Sequence, residues 1–238
     1  MNLVSSDWKY HIELIQDLTR EHRPTPTNLI VCISREDFLH HLALQVQHHS
    51  ADATSSQAEP HPGAGKGLPE SQPHAHHFLT PTLRLFAASK HVKLIYCPTI
   101  LVLRGYLSSY NADSVPQSVP ASRLIIVDLL ALHHGTSEFT LQGLSRSLAT
   151  AVSAAHAAGQ ELLLTECRDI RDQSHPDRGS RLWDRQVPLL SGSVKIGLEG
   201  SRWAGRSMTI KAIASRWFTF AGVRAQVRTQ QDEDEMLI

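Results

Sequence analysis

The sequence predicts an α/β protein: a three-layer fold with a mostly parallel sheet and a C-terminal antiparallel meander. Two observations carry that expectation. The runs Asn28–Ser34, Val92–Cys97, Arg123–Asp128 and Glu161–Cys167 are short and almost continuously apolar, as strands covered on both faces must be. Segments of helical period separate them, the alternation that builds a parallel sheet.

The elements follow in order. From Trp8, Tyr10 or Ile12 with Leu14, Ile15 and Leu18 recur on one helical face until Pro24 and Pro26 end the pattern. The chain is therefore expected to open with an N-terminal helix within residues 1–27. Asn28–Ser34 reads as a buried strand leading into a helix over Arg35–Val46, with Ser34 and Asp37 placed to cap it. Thr80–Ser89 is predicted helical with Pro81 in its first turn, Val92–Cys97 a strand, and Thr99–Tyr110 a helix. After the polar linker Asn111–Ser122 comes the strand Arg123–Asp128. A helix over Leu141–Ala158 is closed by Gly159 and followed by the strand Glu161–Cys167. Ser193–Leu198, Ser207–Ala214 and Ser215–Phe220 alternate with period two and predict half-exposed antiparallel strands.

Composition narrows the class. A chain of 238 residues accommodates one domain of roughly 150–200 ordered residues plus loops. Its three cysteines, Cys32, Cys97 and Cys167, lie in or beside apolar runs and make no CxxC pair. That argues against a disulfide scaffold or a cysteine-based zinc site. Without a long apolar run or a signal-like start, a soluble intracellular protein is expected. Residues 48–78 are rich in Ser, Ala, Pro, Gly, Gln and His and predict a disordered insertion in a domain spanning 28–228. Residues 229–238 form an acidic tail.

Charge is unevenly spread although 23 Lys and Arg balance 23 Asp and Glu. Residues 1–167 carry 11 basic and 14 acidic side chains, and residues 168–228 carry 12 and 5. An acidic body, a basic segment and an acidic end suit charged partners or a solvated surface.

Arg123-Leu-Ile-Ile-Val-Asp128 is similar to a Walker B strand, whose terminal carboxylate holds magnesium for a nucleotide. With the element order over about residues 28–220, the chain resembles the RecA-type recombinase core. That resemblance implies a RecA-like fold, but the family's phosphate loop, G-x-x-x-x-G-K-[ST], is missing. Where it is expected, after the 28–34 strand, stands Ser34-Arg-Glu-Asp-Phe38, with no glycine and two carboxylates. The Gly-Lys pair at Gly65-Lys66 lies in the insertion and lacks a following Ser or Thr. The resemblance therefore implies a degenerate, non-hydrolysing member. Asp128 would be a vestige with no cofactor and no catalytic residue around it.

Such degenerate members include recombinase paralogues of Shu-type complexes, which assist recombination on single-stranded DNA. RecA-like Elongator subunits acting on transfer RNA are the alternative, an ATPase with an unusual phosphate site is a third, and a pure assembly protein is a fourth. The first implies a nuclear, or nuclear and cytoplasmic, hetero-oligomer whose partner is another RecA-like subunit or a recombinase paralogue. In the recombinase fold the loop after the 161–167 strand faces the DNA axis. Here it carries Arg168, Arg171, Arg178, Arg181, Arg185 and Trp183, candidates for tracking phosphates and stacking on a base. Interleaved Asp residues lower its net charge, and the competing reading is surface ion pairs with Trp183 in the core. Met236, Leu237 and Ile238 close the acidic tail and are candidates for partner docking. No metal centre is expected, because most histidines lie in or beside the insertion and none makes an HExxH pattern. A hydrolase triad is equally unexpected, with Ser145 and Ser147 inside a helix.

Overall fold

A computed structural model describes residues 2–5, 7–21, 25–55, 80, 82–110, 122–170, 177–188 and 207–221. In chain order the elements are β1 (Asn2–Ser5), α1 (His11–Arg20), β2 (Thr27–Val31), α2 (Arg35–Ser55), α3 (Leu83–Ser89) and β3 (Val92–Tyr96). They continue with α4 (Ile100–Ser108), β4 (Arg123–Val127), α5 (Leu129–His133), α6 (Leu141–Ala157) and β5 (Glu161–Thr165). A 3₁₀ turn (Gly179–Asp184), β6 (Gln186–Pro188), β7 (Ser207–Thr209), α7 (Ile210–Ala214) and β8 (Thr219–Ala221) complete the described chain.

Six strands form one parallel sheet in the order β3-β2-β4-β5-β1-β8. Side-chain alternation divides its two faces. Ile30, Leu124, Ile126, Leu162 and Leu164 join the cluster formed with α4, α6, α7 and the 3₁₀ turn. Leu29, Val31, Ile125 and Val127 join a smaller cluster with Leu14 and Leu18 of α1 and Phe38 of α2. Both faces are covered, which is why β2 and β4 are nearly continuous apolar runs. The expected α/β three-layer architecture is present. Among the described residues no helix is long and apolar enough to cross a membrane.

Several local expectations are corrected. The chain opens with a strand, not a helix: β1 sits between β5 and β8 in the sheet, and α1 follows it. Helix α2 runs nine residues past Val46 to Ser55, into the stretch read as an insertion; residues 56–79 lie outside the described residues. Among the described residues of the C-terminal end, only β6 and β7 pair antiparallel. Ser207–Ala214 is a three-residue strand followed by α7, and β8 joins β1 in parallel. A period-two pattern reports a half-buried strand but not its direction. The expected strand at 193–198 falls outside the described residues.

A buried polar relay fastens the helices of the larger cluster. Arg104 Nε of α4 donates to Ser147 Oγ of α6 (2.9 Å), whose hydroxyl meets His133 Nε2 of α5 (2.9 Å). His133 Nδ1 in turn faces the Glu138 carbonyl at 3.2 Å. A neutral imidazole satisfies every group in this chain, donating at Nδ1 and accepting at Nε2. Serine and histidine thus meet, yet both are fully buried and the hydroxyl also accepts from Arg104, so the pair is structural.

Burial pushes the His133 pKa down to about 4, with the Glu138 carbonyl opposing and the Arg104 charge adding to it. The unfolded chain binds a proton there near pH 6.5. Between those values the unfolded state holds more protons, so the stability contribution is complete above about pH 6.5 and is lost as pH falls. Urea unfolding across this range should show a loss of up to roughly 3 kcal/mol from this site. Histidine NMR should place the His133 titration near pH 4; a titration near 6.5 would contradict the relay. Gly143 supplies a second check, since a Cβ there would lie 2.1 Å from the Glu138 carbonyl oxygen. Gly143→Ala should lower stability by about 1–3 kcal/mol.

Candidate functional site at the strand ends

In open α/β sheets, ligand sites form beyond the carboxyl ends of the strands. At that end of this sheet, β1, β4 and β5 deliver a cluster of buried polar groups. β4 is followed by Asp128 in left-handed backbone (φ 62°), the one non-glycine positive φ among the described residues. That conformation is uncommon outside glycine, although Asp tolerates it better than most. His11, the first residue of α1, lies across from it with Nε2 2.7 Å from Asp128 Oδ2. The Cys167 amide donates to Asp128 Oδ1 at 2.8 Å. Glu166 accepts from the Leu130 and Ala131 amides at the start of α5 (2.7 and 3.3 Å). Gln45 of α2 completes the group, its Oε1 accepting from the Ile12 amide at 2.9 Å. All five side chains are buried.

The two carboxyl groups are driven apart electrostatically. Burial pushes the Asp128 pKa up, but the His11 charge and hydrogen bond, the Cys167 amide and the Arg178 charge outweigh it, leaving the carboxyl below its ordinary range. Glu166 lies well above that range, chiefly through burial and then through the Asp128 charge, despite the two α5 amides. Of the two, Asp128 keeps its charge more readily and Glu166 its proton. Burial also raises the Cys167 and Cys32 thiols, with the neighbouring Asp128 and Glu166 carboxyl groups adding to the effect. His41 of α2, 6.0 Å from His11 between ring centroids, is lowered by burial and then by the His11 charge.

The start of α1 is where a phosphate could meet helix amides and Asp128 together. Five of the amides there are engaged. Glu13 Oε2 accepts from the Lys9 and Tyr10 amides (2.6 and 3.3 Å), and the Glu13 and Leu14 amides bond to the Tyr10 carbonyl (3.1 and 3.5 Å). Gln45 takes Ile12, and Glu13 puts a carboxylate where an anion would sit. The connecting residues Ser6-Asp-Trp-Lys-Tyr10 contain no glycine. The position inferred from sequence for the phosphate loop, Ser34–Phe38, is instead an ordinary helix start. There Ser34 Oγ accepts from the Asp37 amide (3.1 Å) and donates to Asp37 Oδ2 (2.7 Å), as the capping pattern predicts. Asp128 faces α1 rather than α2.

The basic loop is less uniform than its sequence. Trp183 is 5% exposed and packs in the core, edge-to-face with Phe220 at 5.3 Å. Its indole is not offered to a base, which corrects the stacking role expected for it. Arg185 pairs with Asp177. Arg178 directs its charge onto Asp128, Glu166 and His41. Arg168 donates its amide to the Lys9 carbonyl (2.8 Å) and packs against Gly179, where a Cβ would come within 2.6 Å of Arg168 Cγ. Arg181 is exposed on the 3₁₀ turn. Arg171, Met236, Leu237 and Ile238 lie outside the described residues.

Sequence reasoning missed His11, Gln45, Glu166 and Cys167 as parts of one site. The available signal was local: a histidine at a helix start, and Glu-Cys directly after an apolar strand. Removing one partner of a buried hydrogen bond leaves the other unsatisfied and costs about 1–3 kcal/mol, more for a charged group. His11→Ala and Asp128→Ala should each destabilise by that order in urea unfolding. The double variant should cost clearly less than the two single losses added together. Full additivity would show that the two side chains do not act as a pair.

No family model, curated protein or solved structure matches this chain.

Proposed function

We propose that this protein is a non-catalytic RecA-like accessory subunit of a nuclear complex that assists homologous recombination and DNA repair. It acts by assembling with another RecA-like chain rather than by turning over nucleotide. The observation that carries the reading is the His11–Asp128 pair. The carboxylate that ends the Walker B-like strand is bonded to the first residue of the helix after β1, where a nucleotide enzyme needs phosphate and magnesium. The absence of a glycine-lysine loop from the β1–α1 and β2–α2 turns supports the same conclusion.

Exposed apolar side chains support assembly. Leu83 and Phe86 on α3, Leu94 on the edge strand β3, and Leu101 and Val102 on α4 are 44–89% exposed. Large apolar groups gathered on three successive elements at one sheet edge suit a protein partner. Contact with single-stranded DNA, if the complex makes it, would use Arg168, Arg178 and Arg181 through phosphate charge, without Trp183.

Isothermal titration with Mg-ATP should detect no binding; micromolar binding would overturn the pseudo-ATPase reading. Affinity purification from nuclei should recover a recombinase paralogue, whereas Elongator subunits would favour the transfer-RNA alternative and overturn this one. Phe86→Asp and Leu101→Asp should each change stability by about 0.5 kcal/mol or less, since both side chains are largely exposed. Together they should abolish recovery of the partner. Undiminished recovery would contradict assembly through this edge.

A further inference from the structure

His11, Asp128 and Cys167 come from three separate elements, and each is buried. One potential ligand atom from each residue lies within 4.8 Å of the others. We infer that these three side chains form a binding site for a zinc-class divalent ion at the carboxyl ends of β1, β4 and β5. Nitrogen, oxygen and sulfur ligands on a tetrahedral zinc lie about 3.3–3.7 Å from one another. The His11–Asp128 separation of 2.7 Å would widen by only about 0.6 Å to reach that value. The sulfur would move inward by about 1 Å at most.

The surroundings match the requirements of such a site. His11 is already aimed, its Nε2 facing Asp128 Oδ2 at 2.7 Å, which turns that nitrogen toward the ion. Asp128 Oδ1 is held by the Cys167 amide, which leaves Oδ2 as the ligand atom. Three protein ligands leave a fourth position open, and the His41 ring lies 6.0 Å from that of His11 between centroids. Charge also balances. The ion and the Arg178 guanidinium would face the Asp128 carboxylate, the Cys167 thiolate and an ionised Glu166. On binding, the Cys167 thiol and the Glu166 carboxyl give up their protons to solvent, and His11 coordinates as a neutral imidazole through its unprotonated Nε2. Thiolate and imidazole select zinc, cobalt or a similar ion over magnesium, which prefers an all-oxygen shell. The site is therefore chemically distinct from a nucleotide's magnesium position, and the inference does not depend on the function proposed above.

The test uses the purified full-length chain, stripped with a chelator and titrated with cobalt(II). One equivalent should bind with the thiolate-to-cobalt charge-transfer absorption, and zinc should displace it. Cys167→Ala should abolish that absorption and weaken zinc binding at least about 10–100-fold, the range seen for loss of supporting groups alone. Its far-ultraviolet circular dichroism should remain that of the wild type. Cys32→Ala and Cys97→Ala should keep the absorption. Failure to bind cobalt, absorption that persists in Cys167→Ala, or absorption lost only in Cys32→Ala or Cys97→Ala would overturn the site.

Discussion

The arrangement of this molecule turns on a buried hydrogen bond between His11 and Asp128. It joins residues 117 positions apart and ties the first helix to the end of a central strand. Around it the local structure is set by the need to satisfy buried charge. The left-handed backbone at Asp128 is accompanied by the Cys167 amide bond to its carboxylate and by Glu166 at the amides that open α5. Gln45 occupies the first turn of α1. Each of these groups would be costly if left unpartnered in the interior, so the cluster is held as a unit.

That same satisfaction limits the chemistry. A strand-to-helix turn becomes an anion site when its amides are free and its loop can approach a phosphate closely. Here the helix start is filled from within by Glu13, Gln45 and His11. A fold by itself does not assign an activity, so the occupied helix start and the exposed apolar edge at β3 carry the functional reading. The first argues against nucleotide turnover, and the second supports assembly. A histidine, a carboxylate and a thiol placed together at that position give the cluster a metal-binding capacity that a purely vestigial site would not need.

Much of the fold was legible in the sequence. The strands at 28–34, 92–97, 123–128 and 161–167 announce themselves because burial on both faces demands continuous apolar residues. The long helix at 141–158 shows in its spacing and its closing Gly159. β1 was not legible: Asn-Leu-Val-Ser offers two apolar residues and gains its place only by pairing with β5 and β8. Trp183 was misassigned because arginines flank it in sequence, while the 3₁₀ turn rotates Leu182 and Trp183 inward. Asp128 was recognised as the residue of interest, yet its partner was not. Nothing local connects positions 11, 128 and 167, and only the sheet order brings them together.

The central claim is that the start of α1 is closed to nucleotide by its own chain. Hydrogen–deuterium exchange of the Ile12, Glu13 and Leu14 amides, with and without saturating Mg-ATP, tests it most directly. The account predicts that these amides are already protected, because each is hydrogen-bonded internally, and that nucleotide leaves their exchange unchanged. Fast exchange in the free protein that slows on adding nucleotide would contradict it.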